Sequence, residues 1–146
     1  MTAPQREFTL VRDFDAPRDL VYRVWTEPEH MSQWLLNTPQ ETISQDLRAG
    51  GMWRWTMVND EDGTRYPTVA EFREIVEPER LVFTWGDGDN RTAVITVTFD
   101  EHDAGTRLTL HLVGPAEFIT DESGVEKGWS ELLDSLERFL SRRVTR

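Results

Sequence analysis

The sequence contains no cysteine, which excludes a disulfide framework, a thiol nucleophile and any cysteine-ligated metal. Histidine is scarce, with three residues, and no two of them stand at metal-ligand spacing. Long apolar runs are absent too. The opening MTAPQREFTL has nothing resembling a secretory h-region, and no later segment is apolar enough to span a bilayer. A cytoplasmic protein without membrane insertion is therefore expected. Positive charge is in short supply: 27 acidic residues face 16 basic ones, for a formal net charge of −11. Nucleic-acid binding is driven by cationic neutralisation of phosphates, so nucleic acid is not an expected partner. An anionic membrane surface is disfavoured for the same reason.

What the chain does have is tryptophan, six in 146 residues. That length suffices for a single domain, 1–146, with a sizeable core. No composition break, linker or repeat divides it. The segment at 7–16, EFTLVRDFDA, alternates and reads as a strand. Asp15 is the expected N-cap of a following helix, with Pro17 in its first turn and Leu20, Val21, Val24 and Trp25 at helical spacing. A second short helix follows TEP, with Met31, Trp34 and Leu35 on its apolar side.

From about residue 41 the period switches to two. Strands are expected near 41–47, 51–58, 66–77, 80–86, 91–100 and 105–114, joined by the turn-rich stretches DLRAGG, NDEDGT, EPE, GDGDN and DEHDAG. NDEDG and GDGDN read as hairpin tips. After about residue 120 the helical period returns, with Val125, Trp129, Leu132, Leu133, Leu136, Phe139 and Leu140 three and four apart. Asp121 and Glu122 at the start and Arg142 and Arg143 at the end complement the helix dipole. An α+β fold follows: an antiparallel sheet of about seven strands with one apolar face, two short helices after the first strand, and one long C-terminal helix to cover that face. Gly50 and Gly51 suit a bend or bulge where the sheet curves.

The stretches FDAPRDLVYRVWTEPEHMSQW, GGMWRWTM, IVEPERLVFTWGDG and GWSELLDSLERFL, in this order and spacing, resemble the START-like helix-grip (SRPBCC) superfamily. Within it the chain is most similar to the family related to the C-terminal domain of the heat-shock protein 90 ATPase activator. The resemblance implies a curved antiparallel sheet wrapped around the C-terminal helix. Activators of the eukaryotic chaperone carry a separate N-terminal domain without counterpart in these residues, so ATPase stimulation is not expected of this chain.

In GGMWRWTM, alternation puts Trp53, Trp55 and Met57 on one face of a strand and Met52, Arg54 and Thr56 on the other. The family register turns the tryptophan face toward the helix. Phe83 and Trp85 share one face of LVFTW, and Trp129 starts the helical stripe opposite. Two readings compete for these residues: an ordinary packed core, and the wall of a cavity, for which aromatics supply large rigid apolar area. A core that encloses a pocket is the expectation. Its lining would be Trp34, Trp53, Trp55, Met57, Phe72, Phe83, Trp85, Trp129 and Leu133, and its ligand small and apolar or amphipathic.

Other residues offer less. Arg54 reads as a solvated outer position. Phe72 and Ile75 cannot both point inward without a bulge, which leaves open whether Glu71 or Glu74 faces inside, where a carboxylate could serve as acid or base. His30 and His102 read as surface residues, and His111 falls opposite the Leu108, Leu110, Leu112 face. The acidic turns at 60–62 and 87–89 lack the following glutamate that an EF-hand requires. Gly128 is expected to permit close helix–sheet approach. There is no Gly-rich phosphate cradle or nucleophile elbow, so no catalytic residue, metal or cofactor is assigned. The leading expectation is a ligand-binding module. A cyclase- or hydrolase-like enzyme using polar groups in the cavity is the runner-up, and a domain in weak association with a chaperone the third.

Overall fold

Seven antiparallel strands form one sheet in the order β1-β7-β6-β5-β4-β3-β2. The computed structural model describes residues 4–35, 37–85, 93–117, 119–120 and 124–144. The strands are β1 (Gln5–Phe14), β2 (Ser44–Gln45), β3 (Met52–Val58), β4 (Arg65–Val76), β5 (Arg80–Trp85), β6 (Ala93–His102) and β7 (Gly105–Pro115). Between β1 and β2 lie α1 (Arg18–Thr26), α2 (Pro28–Trp34) and a single 3-10 turn, Gln40–Thr42; the chain closes with α3 (Val125–Val144). The expected architecture is thus the one found. The GDGDN tip, Asp121 and Glu122 lie outside the described residues.

Alternation decides which face is covered. In β6 and β7, Ile95, Val97 and Phe99 and Leu108, Leu110 and Leu112 are fully buried, while their sequence neighbours reach the opposite face. The stripe of α3 meets this apolar face with Val125, Trp129, Leu133, Leu136, Phe139 and Leu140, all buried. Each large side chain so covered stabilises the fold by about 1.5–3 kcal/mol. At the β1 margin, Arg12 ties strand to helix by donating to the Ser130 hydroxyl at 2.8 Å and to Asp134 at 3.4 Å.

Several local expectations need correction. Asp15 does not cap α1. Pro17 occupies the N-cap position with φ −67° and ψ 151° and no side-chain cap; its ring already fixes φ near the helical value, and its carbonyl accepts the Leu20 and Val21 N–H groups. The strand expected at 41–47 shrinks to Ser44–Gln45. The N–H groups of Thr42 and Ile43 bond back to the carbonyls of Pro39 and Gln40, and the Thr42 hydroxyl donates to the Pro39 carbonyl at 2.8 Å. A local turn takes the hydrogen bonds a strand would have needed. Gly128 does not mediate a close approach, because an added Cβ there would meet no atom within 4 Å.

The parity conflict in β4 is settled by a register shift between Phe72 and Glu74. Phe72 pairs with Phe83 and Ile75 with Leu81, so both apolar residues face inward and Arg73 is the extra residue. Neither glutamate faces inside: Glu71 pairs with Met52 on the outer face, and exposed Glu74 accepts from Arg80 at 2.9 Å. Gly50 and Gly51 sit beside this bulge. Gly50 has φ +85°, its N–H donates to the Phe72 carbonyl, and the Gly51 carbonyl accepts the Phe72 N–H. A Cβ on Gly51 would lie 2.0 Å from the Asp46 carbonyl oxygen. The glycines therefore turn the chain where the sheet bends.

Candidate ligand-binding site

The inner face of β3 presents Trp53 and Trp55 with ring centroids 4.7 Å apart. Trp53 stacks on Phe72 at 5.8 Å with planes 5° apart and meets the edge of Phe83 at 5.2 Å. From the helical side, Trp25 of α1 comes within 6.3 Å of Trp53 and lies nearly parallel to Trp129 of α3, at 6.5 Å and 5°. Trp34 of α2 packs on Trp25 at 4.9 Å, and Trp85 of β5 meets Trp129 at 5.7 Å. All six tryptophans join one aromatic layer spanning three strands and three helices.

Of the residues expected to line a pocket, Trp34, Trp53, Trp55, Phe72, Phe83, Trp129 and Leu133 are buried. Met57 and Trp85 are half-buried at the margin of the layer. Trp53, Phe72 and Phe83 have 0% exposure, so no water-sized space touches them. Sequence reasoning missed Trp25, which touches Trp34, Trp53, Phe99 and Trp129. Its place in the α1 stripe marked it as core but not as the junction. Gln45 was missed as well. It lies opposite Trp53 in the β2–β3 ladder, on the same face, and its amide nitrogen donates to the Trp25 carbonyl at 3.2 Å.

The polar atoms of this layer are unevenly served. The Trp34 indole N–H donates to the Val24 carbonyl at 2.9 Å, fastening α2 to α1. The indole N–H groups of Trp25, Trp53 and Trp129 and the Gln45 side-chain oxygen are buried and meet no partner within the protein. A buried donor or acceptor left unmade costs about 1–3 kcal/mol. Among the described residues, the buried polar side chains are Thr38, Thr84, Thr106 and Ser135, none of them charged.

The remaining candidates lie elsewhere. Arg54 is exposed on the outer face, and His111, also there, contacts Glu7 at 2.6 Å. His102 lies 3.0 Å from Arg107 on the exposed β6–β7 hairpin. His30 is half-buried rather than a free surface residue, 3.0 Å from Glu27 and beside the Phe139 ring. The turn at 59–64 is a hairpin tip closed by Asn59 and Asp62, whose side-chain oxygens accept the Glu61 and Thr64 N–H groups; the turn at 87–89 lies outside the described residues. No three histidine, aspartate or glutamate side chains among the described residues stand close enough to hold a metal ion. No described helix is long and apolar enough to cross a membrane. A separate open cleft of about 590 Å³ runs between β1 and α3 over Phe8, Leu10 and Ile119 and shares none of the expected lining residues.

Comparison with known families matches residues 15–141 to the profile described as activator of Hsp90 ATPase homolog 1-like protein. The chain belongs to this family. Solved structures share the fold of this Hsp90 ATPase activator homolog 1-like chain over nearly its full length. An uncharacterized protein from Rhizobium leguminosarum is 27% identical, with 97% of each chain covered and a TM-score of 0.78. Protein NE0264 from Nitrosomonas europaea is 26% identical over 96% of this chain and 97% of its own, with a TM-score of 0.77. CalU16 from Micromonospora echinospora is 25% identical over 97% of this chain and 80% of its own, at 0.70. No curated protein sequence matches the chain. Membership in the activator-homolog family establishes the helix-grip, START-like fold that the sequence resembled.

Proposed function

We propose that this protein is a small-molecule binding module whose ligand, largely apolar, is held between the sheet and α3 within the tryptophan layer. The observation that carries this reading is the set of unpartnered polar atoms in that layer, the indole N–H groups of Trp25, Trp53 and Trp129 above all. A core selected only for packing has no use for three indoles where three phenylalanines would cost nothing in lost hydrogen bonds. A ligand that supplies acceptors recovers that cost. Family membership supports the reading, since the helix-grip architecture sets a curved sheet against one helix. The half-buried Met57 and Trp85 mark the margin through which a ligand would enter. Uptake would part the rings, because the central side chains leave no water-sized space between them.

Two measurements test this reading. Mass spectrometry of small molecules released on denaturation should find an apolar compound in the purified protein. Titration with apolar probes should change tryptophan fluorescence saturably and raise the unfolding midpoint by mass action. The variants Trp55→Leu and Trp129→Leu should weaken probe binding. A wild type that binds no probe, with variants that only lose stability by about 3–5 kcal/mol, would reduce the layer to plain core.

A further inference from the structure

Tyr22 is 3% exposed, and its hydroxyl is buried with no hydrogen-bond partner within the protein. Its ring packs on Phe99 at 5.6 Å, and it lines an open cleft of about 510 Å³ between α1 and the turn that joins β4 to β5. Asp19, Arg23, Glu77 and Pro78 complete that cleft, which shares no residue with the cleft between β1 and α3. Glu77 stands close enough for its charge to reach the phenol: burial first, and that carboxylate second, push the group up to about 12. The hydroxyl end of the ring therefore faces the cleft, and at neutral pH it is protonated. Asp19, Arg23 and Glu77 are exposed, and among the described residues none of the three makes a side-chain hydrogen bond or ion pair. They turn aside from the hydroxyl without moving any packed element.

Each ligand chemistry meets these walls differently. Two carboxylates face one guanidinium, so an anion would meet two like charges for one opposite. A neutral alcohol would serve the hydroxyl and leave both carboxylates to water. A bare metal ion would draw on two carboxylates and a neutral phenol, and among the described residues no third histidine, aspartate or glutamate stands close enough to complete a metal site. A primary ammonium carries three N–H donors and no acceptor. The cleft offers it three acceptor groups, and Pro78 supplies an apolar edge for its carbon stem. The net charge of −11 further concentrates cations at the surface. We propose that the cleft between α1 and the β4–β5 turn binds a primary alkylammonium group, which donates to the Asp19 and Glu77 carboxylates and to the Tyr22 hydroxyl oxygen while Arg23 turns outward. Two sources carry such a group, a free amine and a lysine side chain of another protein.

Butylamine, butanol and butyrate share a chain length and are cationic, neutral and anionic at pH 7. Each is titrated into isotope-labelled protein at low salt, and the amide shifts of Tyr22 and Glu77 are read by NMR. Butylamine should move both saturably and bind at least tenfold tighter than butanol, with butyrate the weakest. Asp19→Asn and Glu77→Gln should each cost butylamine at least fivefold in affinity, and Tyr22→Phe at least threefold. Glu137→Gln removes the same charge from an exposed position on α3 and should change affinity less than twofold. N-acetyl-lysine amide beside butylamine separates the sources: tighter binding of the first assigns a lysine side chain, tighter binding of the second a free amine, and either order upholds the ammonium site. Where a variant does not fold, the wild-type probe order and the Glu137 control decide. Equal losses from Glu137→Gln and Glu77→Gln reduce the effect to general surface acidity and overturn the site. Tightest binding by butanol or butyrate overturns the ammonium. An unchanged affinity in Tyr22→Phe overturns the part given to the hydroxyl. Tyr22 and Glu77 amides that stay still with all three probes overturn the cleft as a binding site.

Discussion

Gly128 and Tyr22 are two residues whose side chains do less for stability than their positions suggest. Gly128 lies inside α3 with nothing within 4 Å of a built Cβ, so glycine there brings the entropy cost of a flexible backbone without a packing return. Gly128→Ala should raise stability by about 0.5–1 kcal/mol, read as a higher midpoint in urea. Tyr22 is buried against Phe99, and its hydroxyl has no partner within the protein. Burial foremost, and then the nearby Glu77 carboxylate, push its pKa up from 10.0 to about 12. The folded state therefore keeps the phenolic proton after the unfolded chain has lost it. Stability tied to this group is complete below pH 10 and falls as pH rises toward 12. Tyr22→Phe should leave stability at pH 7 unchanged or higher, because no hydrogen bond is lost. It should also flatten the decline between pH 10 and 12, measured by denaturant unfolding across that range. A variant that loses stability at neutral pH would mean that the hydroxyl has a partner after all.

Among the elements, β3 shows how a short neighbour can be supplemented. The two residues of β2 pair only with Trp53 and Arg54, which leaves the far half of β3 to other groups. The Thr42 hydroxyl accepts the Thr56 N–H at 3.1 Å, and the Asn37 carbonyl accepts the Val58 N–H at 2.8 Å. One side chain and one turn thus stand in for a strand and blunt an exposed edge. Thr42→Val, nearly equal in shape, should cost about 1–3 kcal/mol and speed hydrogen exchange at the Thr56 amide while leaving the Leu110 amide slow. Elements with long, regular periods were legible in the sequence, as α3 and the β3–β7 meander show. Even the β4 bulge could be expected, because Phe72 and Ile75 have the wrong spacing for one face. The 3-10 turn was not, since ETIS alternates well enough and only the local bonds of Thr42 and Ile43 to the Pro39 and Gln40 carbonyls divert it. Trp25 and Gln45 escaped for a different reason. Periodicity says that a residue points inward, but not which inward residues of separate elements meet, and the junction of α1, β2, β3 and α3 exists only in three dimensions.

For the whole molecule, the net charge of −11 imposes self-repulsion on the compact state. Adding sodium chloride at constant pH should raise the unfolding temperature as the repulsion is screened; a fall would show that specific ion pairs outweigh it. Pairs such as Asp13 with Arg107 at 2.8 Å are exposed and contribute little. The strand order carries a consequence of another sort. Strands β2 to β6 each pair with the next in sequence, whereas β1 pairs only with β7, joining Phe14 to Thr106 and Gln5 to Pro115. The meander can assemble from near neighbours, but β1 must wait until a loop of most of the chain has closed, and such distant contacts form slowly. The folding nucleus is then expected in β3 to β7, with β1 docking after the barrier has been crossed. Leu10→Ala in β1 should leave the refolding rate nearly unchanged and appear almost wholly as faster unfolding in stopped-flow kinetics. The first of the seven strands in sequence is then expected to be the last secured, and the lifetime of the native state should be set at that seam.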